Sequence, residues 1–354
     1  MGHLVRVGLT GALLCLACGE PVPRDAGRVD AGLGDAGPGD AGPPSNVRLT
    51  AVTFNTGTTL GLDHGREPDD GYSREDAVIS DTHYGDGLAW RSVIDDTLTF
   101  LTALQPDVVA FQEVFYSGEC ASIPSDAHPG FACEAWADGD ATVAEVVLGA
   151  GYQVACHQDK PDKCIAVRRA FGTIRGCEDN LCLDHLDGAR VPDCGGGSRV
   201  GRAVLDLTDG RSLTVVNVHG SSGVSAEDQA CRVAQFNQVF VDLDLDGPGT
   251  EPGANGAANL ILGDLNTDPA RFESSDASAA RFSELVEAGG YHFVTEVGRR
   301  ATPTYALFNI DHQVSDALDG PCWAPGVTEA RPAVSETIYF DHVPVVCELA
   351  GFLE

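Results

Sequence analysis

The chain has 354 residues and a formal net charge of −31. That charge excludes broad electrostatic adhesion to nucleic acid or anionic lipid, since nonspecific affinity for either comes from Lys and Arg neutralising phosphates. Its 43% apolar content is ample for a core and excludes a wholly disordered chain.

Residues 1–17 contain His3 and Arg6 and then the apolar run Leu9-Thr10-Gly11-Ala12-Leu13-Leu14-Cys15-Leu16, too short to span a bilayer and readable as a secretory signal peptide. Leu16-Ala17-Cys18-Gly19 resembles the lipobox of bacterial lipoproteins. The resemblance implies that Cys18 becomes the acylated first residue and anchors the chain to a membrane. Cys15 stands where that box usually has Leu, so cleavage and secretion is the alternative. Residues 18–45 carry Asp-Ala-Gly starting at Asp25, Asp30, Asp35 and Asp40. Such a segment has almost no apolar side chains to offset its ordering entropy and reads as a disordered, extended tether.

From residue 46 to 354 the pattern alternates short β-rich runs with helical stretches, which predicts one α/β domain. Strands are expected at 49–54, 107–111, 152–155, 164–168, 203–207, 213–218, 260–262 and 344–348. Several are apolar throughout, as strands covered on both faces are. Helices are expected at 88–104, where Ile94, Leu98 and Leu101 share a face, and at 226–243, opened by a capping-box-like Ser225-Ala226-Glu227-Asp228.

Beyond Cys15 and Cys18, ten of the 12 cysteines remain, seven of them between Cys120 and Cys194. An even number in an exported chain implies disulfides whose connectivity the sequence does not reveal. A zinc site is disfavoured because no Cys-x-x-Cys occurs among these ten.

Five polar motifs fall at or near strand ends: Asn55 in Thr53-Phe54-Asn55-Thr56-Gly57, Gln112-Glu113, Asn217-Val218-His219, Gly263-Asp264-Leu265-Asn266, and Asp341-His342. Asp264 and Asn266 are two apart, so a continuing strand would put both on one face, and Gly263 is expected to let the backbone approach a ligand. In this order the set resembles the endonuclease/exonuclease/phosphatase superfamily, the deoxyribonuclease-like fold that also includes bacterial sphingomyelinases and inositol phosphatases. Ile165-Ala166-Val167-Arg168 resembles its central strand and Ile310-Asp311-His312-Gln313-Val314 its Asp-bearing strand. The resemblance implies a four-layer sandwich of two packed mixed β-sheets flanked by helices on both outer faces.

It also implies metal-dependent hydrolysis of phosphoesters, which asks for an in-line water and neutralised phosphoryl oxygens. A hard cation, magnesium or else manganese or calcium, suits carboxylate and amide oxygens and supplies the positive charge the surface lacks. Glu113 is the expected main ligand, with Asn55 and Asp341. Asp264 is expected to orient or deprotonate the water, and Asn266 to hold the phosphate or that water. His219 and His342 are expected on the phosphoryl oxygens, His342 paired with Asp311, and Asn217 is counted with the catalytic set. Phe340 stands where the family commonly has Ser, so a small hydrogen-bonding group near the metal is missing.

Other candidates weigh less. Asp242-Leu243-Asp244-Leu245-Asp246-Gly247 imitates a calcium loop, but Gly253 occupies the position needing a bidentate Glu. The 57–87 connection, with Asp63, His64, Asp69, Asp70, Tyr72, Asp81, His83 and Tyr84, is either an exposed acidic loop or a wall of the substrate pocket. Phe131 and Trp136 are expected to pack under disulfides rather than to touch lipid, and His128, His157 and His185 are expected at the surface. The substrate reading leans slightly to nucleic acid over a phospholipid head group or a phosphomonoester. No protein partner is expected. A noncatalytic surface-binding module on the same fold is the reading from another class.

Overall fold

The computed structural model describes residues 46–58, 71–85, 87–183, 194, 199–241, 251–327, 333–335 and 338–353. The signal peptide, Cys18, the tether, Asp63, His64, Asp69, Asp70, His185 and the calcium-like run therefore lie outside the described residues. All described residues belong to one compact unit, 43–354.

In chain order the main elements are β1 (Val47–Asn55), α1 (Arg74–Ile79), α2 (Arg91–Leu104), β2 (Val108–Gln112), α3 (Val143–Leu148), β3 (Tyr152–Cys156), β4 (Cys164–Arg168), β5 (Gly172–Ile174), β6 (Val200–Leu207) and β7 (Ser212–His219). There follow α4 (Ala226–Phe240), β8 (Asn259–Asp264), α5 (Pro269–Phe272), α6 (Ala277–Ala288), β9 (His292–Phe293), β10 (Asp311–Ser315), β11 (Leu318–Asp319), β12 (Cys322–Trp323) and β13 (Val345–Gly351). One sheet runs β11-β13-β1-β2-β4-β3, with β12 on β13; the other runs β5-β6-β7-β8-β10-β9. Both are mixed: β1 and β2 are parallel, as are β7 and β8, while their outer neighbours run antiparallel.

Strand parity builds the layers, because alternate side chains leave opposite faces. Leu49 and Ala51 of β1, Val108 and Ala110 of β2, Leu213 and Val215 of β7, and Leu260 and Leu262 of β8 fill the core between the sheets. Val52, Phe54, Val109 and Phe111 point outward into a second core shared with Val93, Ile94 and Leu101 of α2. Val216, Val218 and Ile261 meet Phe236 and Val239 of α4 and Phe282 and Leu285 of α6 in a third. The fold is the expected four-layer α/β sandwich.

α4 starts as its sequence predicts: the Ser225 hydroxyl accepts from Asp228 N, and the Asp228 carboxylate accepts from Ser225 N. The ten cysteines pair as Cys120–Cys133, Cys156–Cys164, Cys177–Cys182, Cys194–Cys231 and Cys322–Cys347. No helix among the described residues is long and apolar enough to cross a membrane.

Three sequence expectations need adjustment. His157 is fully buried rather than at the surface; it opens the loop closed by Cys156–Cys164, and its ring packs where Gly201 has no Cβ. The 57–87 connection is not a bare loop, since it contains α1, and Tyr72 and Tyr84 are buried against Trp90 and Phe131. Gly263 approaches backbone, not a ligand: a Cβ there would sit 1.9 Å from Val218 O, so it is the parallel β7–β8 pairing that requires glycine.

Candidate active site

Parity also explains why polar groups converge. Continuing inward from the apolar positions of each strand, the last inner-face residues are Asn55 on β1, Gln112 on β2, Asn217 and His219 on β7, Asp264 on β8 and Asp311 on β10. All are buried at one end of the sandwich. Asn55 Nδ2 donates across the sheets to Asp264 Oδ2 at 3.0 Å. Asn217 bridges the sheets more deeply: its Oδ1 accepts from Gln112 Nε2 at 2.7 Å, and its Nδ2 donates to the carbonyls of Phe111 and Cys164. It acts as a tie beneath the site, since its amide is fully engaged in these bonds.

Above this floor lies a cleft of about 510 Å³ lined by Asn55, Glu113, Asp264, Asn266, Asp341 and His342, with Thr58, Gly85, Val224, Phe272, Tyr305 and Phe308 among its other walls. Of the described part of the 57–87 connection, Thr58 and Gly85 reach the cleft.

On one side, three groups gather around Gly57. Gly57 N donates to Asn55 Oδ1 at 2.9 Å, and its carbonyl accepts from Asp341 N at 3.2 Å. A Cβ on Gly57 would lie 1.9 Å from Glu113 Oε2, so the missing side chain is the space that carboxylate fills. Glu113 itself has φ 57, a left-handed turn that carries it off the end of β2 into the cleft. Burial, then the Asp341 charge, raises the Glu113 pKa, and burial raises that of Asp341. Asp341 Oδ1 is buried with no hydrogen-bond partner; its neighbour Phe340 packs on Phe54 and Tyr339 and offers no side-chain donor. Two close carboxylates and an amide oxygen, one oxygen left unpaired, form a donor set that fits a hard divalent cation.

On the other side, Asp264 accepts from Asn266 N at 2.7 Å, from Asn266 Nδ2 at 3.1 Å and from Asn55. Asn266 has φ 50; the chain turns there instead of continuing the strand, and the amide folds back over the carboxylate. Asp311 sits opposite Asp264 in the β8–β10 register and accepts from His342 Nδ1 at 2.8 Å. His342 Nε2 is 3.8 Å from Asp264 Oδ2. Burial alone would depress the His342 pKa, but Asp311, Asp264 and the hydrogen bond to Asp311 outweigh it and push it up to about 10. Burial, then Asp311, raises Asp264, with His342 opposing.

Asp264, Asp311 and His342 bring donor atoms within 4.8 Å of one another and could also hold an ion. A ring that keeps its proton has no lone pair to offer, however, and its Nδ1 is committed to Asp311. With no ion bound, the trio holds a proton on His342.

His219 is buried, its Nε2 3.6 Å from Glu113 and 3.8 Å from Asp264. Burial, then Arg199, Lys163 and Lys160, hold its pKa well below 6.5, so the ring is neutral. Those cations were missed in the sequence. Lys160 and Lys163 are the only lysines in the chain, and their hairpin docks beside the site through Val114 N donating to Asp162 O at 3.0 Å. Arg199 O accepts from His219 N at 2.8 Å. Tyr305 was missed as well; its ring lies 4.8 Å from that of His342. The signal for the cations was their rarity in a chain of net charge −31; for Tyr305 there was none.

No protein-family model matches the chain, and no curated protein matches it. Several solved structures are similar in fold. A humanized TDP2 of D. rerio is 14% identical over 85% of this chain and 98% of its own, with a TM-score of 0.47. The human Nocturnin catalytic domain with bound sulfate is 12% identical over 87% and 99%, with a TM-score of 0.48. An endonuclease/exonuclease/phosphatase from Beutenbergia cavernae is 16% identical over 86% and 72%, with a TM-score of 0.48.

Proposed function

We propose that the chain is a metal-dependent phosphoester hydrolase acting on phosphodiesters. The observation that carries this reading is the division of one cleft into two sets. Glu113 and Asp341, with raised pKa values and an unpaired oxygen, face the side suited to a cation, and Asp264 with the protonated His342 faces the side suited to water and proton handling.

Glu113, Asn55 and Asp341 would hold magnesium, or manganese or calcium in its place, which when bound neutralises phosphoryl oxygens and the charge on the leaving oxygen. Asp264, its carboxylate fixed by Asn55 and Asn266, orients the attacking water and takes its proton. His342, kept charged by Asp311 and Asp264, donates Nε2–H to a phosphoryl oxygen. Neutral His219 contributes one further Nε2–H donor, 3.8 Å from Asp264 Oδ2. Every donor is in position before substrate arrives, which is how a preorganised site lowers its barrier.

Nucleic acid is the first substrate class to test, with phospholipid head groups and phosphomonoesters as alternatives, and a lipid anchor at Cys18 would put the reaction at the cell surface. The purified chain should hydrolyse an aryl phosphodiester with magnesium or manganese, and Asp264→Ala should abolish it. Absence of hydrolysis, or an unaffected Asp264→Ala variant, would leave a noncatalytic binding module instead. Plasmid DNA, RNA and sphingomyelin assayed side by side then assign the class.

A further inference from the structure

Arg232 on α4 is 1% exposed, the largest fully buried side chain among the described residues, and it does not line the cleft. A buried guanidinium is costly unless its donors are satisfied, so where those donors go matters. Nη1 donates to the carbonyls of Ser221 at 2.7 Å and Gly223 at 2.8 Å. Nη2 meets Asp276 Oδ2 at 2.9 Å, and Nε donates to Ser278 Oγ at 2.8 Å. Asp276 Oδ2 in turn accepts from Thr267 Oγ1 at 2.9 Å.

Ser221 and Gly223 belong to the turn that leaves His219, and Thr267 to the turn that leaves Asp264 and Asn266. The two turns are stitched together as well: Gly220 N donates to Asp264 O at 2.8 Å, and Asn266 Nδ2 donates to Gly220 O at 3.0 Å. Gln235, one helical turn beyond Arg232, accepts from Ser221 N at 2.9 Å and donates to Ser221 Oγ at 2.8 Å. One helix face therefore grips the first turn directly and the second through Asp276, and the carbonyl of Gly220, next to the gripped Ser221, is the anchor for the Asn266 amide over Asp264.

On the reading that this cleft hydrolyses phosphoesters, we propose that Arg232, assisted by Gln235, is a positioning residue that sets the catalytic geometry of His219 and Asn266 from outside the site. A guanidinium suits the task because its planar fork reaches two carbonyls and a carboxylate at once, which a lysine cannot do. The substrate never touches it; a shift of the turns misplaces donors whose value depends on placement.

The test uses the full chain and its Arg232→Lys and Gln235→Leu variants, with kcat and KM on an aryl phosphodiester and amide hydrogen exchange as separate readouts. Arg232→Lys should lower kcat by about 30-fold with KM changed less than about threefold. Exchange at residues 221–223 and 265–267 should speed up about tenfold while amides of β1 and β13 keep their protection. Gln235→Leu should lower kcat about fivefold and speed exchange at Ser221, and it decides the matter if Arg232→Lys does not fold. Unchanged exchange in both turns, acceleration spread evenly over the whole molecule, or a kcat within about twofold of the parent would overturn the proposal. A parent chain that hydrolyses no phosphoester defeats the hydrolase reading instead, and the exchange comparison still decides whether the clamp exists.

Discussion

The two parallel strand–helix–strand units, β1–α2–β2 and β7–α4–β8, bring their polar ends to the same cleft and hold them in opposite ways. The first delivers Asn55 and Glu113. Its carboxylate is half-buried, turned off the strand through a left-handed residue, and raised in pKa by burial and then by the Asp341 carboxylate, whose Oδ1 is buried without a donor. The second delivers His219, Asp264 and Asn266, where the carboxylate is 1% exposed and takes three hydrogen bonds from its surroundings. One unit carries an electrostatic deficit that a cation would remove; in the other the Asp264 carboxylate has its hydrogen bonds before anything binds, although His219 Nδ1 is buried without a partner. A similar backbone arrangement supports both because parity fixes only which face a side chain leaves, while the turn after each strand decides how it is satisfied.

This contrast predicts effects of different kinds in the two halves. The largest belongs to the Asp264 half: Asp264→Ala should lower kcat on an aryl phosphodiester by on the order of 10³-fold, with a small net change in thermal stability because removing a buried acid of raised pKa offsets the loss of its three hydrogen bonds. A comparable loss of stability would show the carboxylate to be structural. In the deficient half, chelation with EDTA should abolish turnover and added magnesium restore it. There Glu113→Gln should raise the magnesium concentration needed for half-maximal rate by about 10- to 100-fold, whereas Asn266→Ala should leave that concentration alone; an equal shift in both variants would erase the distinction.

The next effect is on pH. The His342 pKa is raised, so the ring is protonated below about 10 and activity that needs the proton falls as pH rises through that value. Asp311→Asn removes the strongest of the raising influences, so the descending limb should move to lower pH, about tenfold in rate for each unit of displacement. A profile unmoved on its alkaline side would separate His342 from the chemistry. The smallest effect is on the scaffold alone: Gly263→Ala, with φ 152 and Val218 O at 1.9 Å from the added carbon, should cost about 2–4 kcal/mol in urea unfolding.

Much of this was legible in the sequence, and the reasons it was not all legible are physical. Apolar runs ending in Asn55, His219 and Asp264 announce strands, and their spacing predicts which face the last residue takes. The observed β4 matches its expected bounds of 164–168, whereas β6 and β8 extend a few residues beyond theirs. The interlocking of turns was invisible: Asn266 looks two strand residues from Asp264, but a left-handed turn places it over the carboxylate by another route. Arg232 and Gln235 sit inside the expected 226–243 helix but gain meaning only from the turns they grip. α6, capped by Asp276, has a legible helical pattern in Ala279, Phe282, Leu285 and Val286, whereas the two-residue strands β9, β11 and β12 carry too little pattern to register. Cysteine pairing needed coordinates because parity of count says nothing of partner.

Gly57 has one more implication, for anyone wishing to inactivate or redesign the cation side. Three chain segments converge on a residue whose contribution is vacancy, so the smallest possible enlargement there, Gly57→Ala, puts a methyl group where the Glu113 oxygen now lies. Such a variant would retain every donor atom of the set while denying one of them its seat. A survey of this site by side-chain chemistry alone would score it intact.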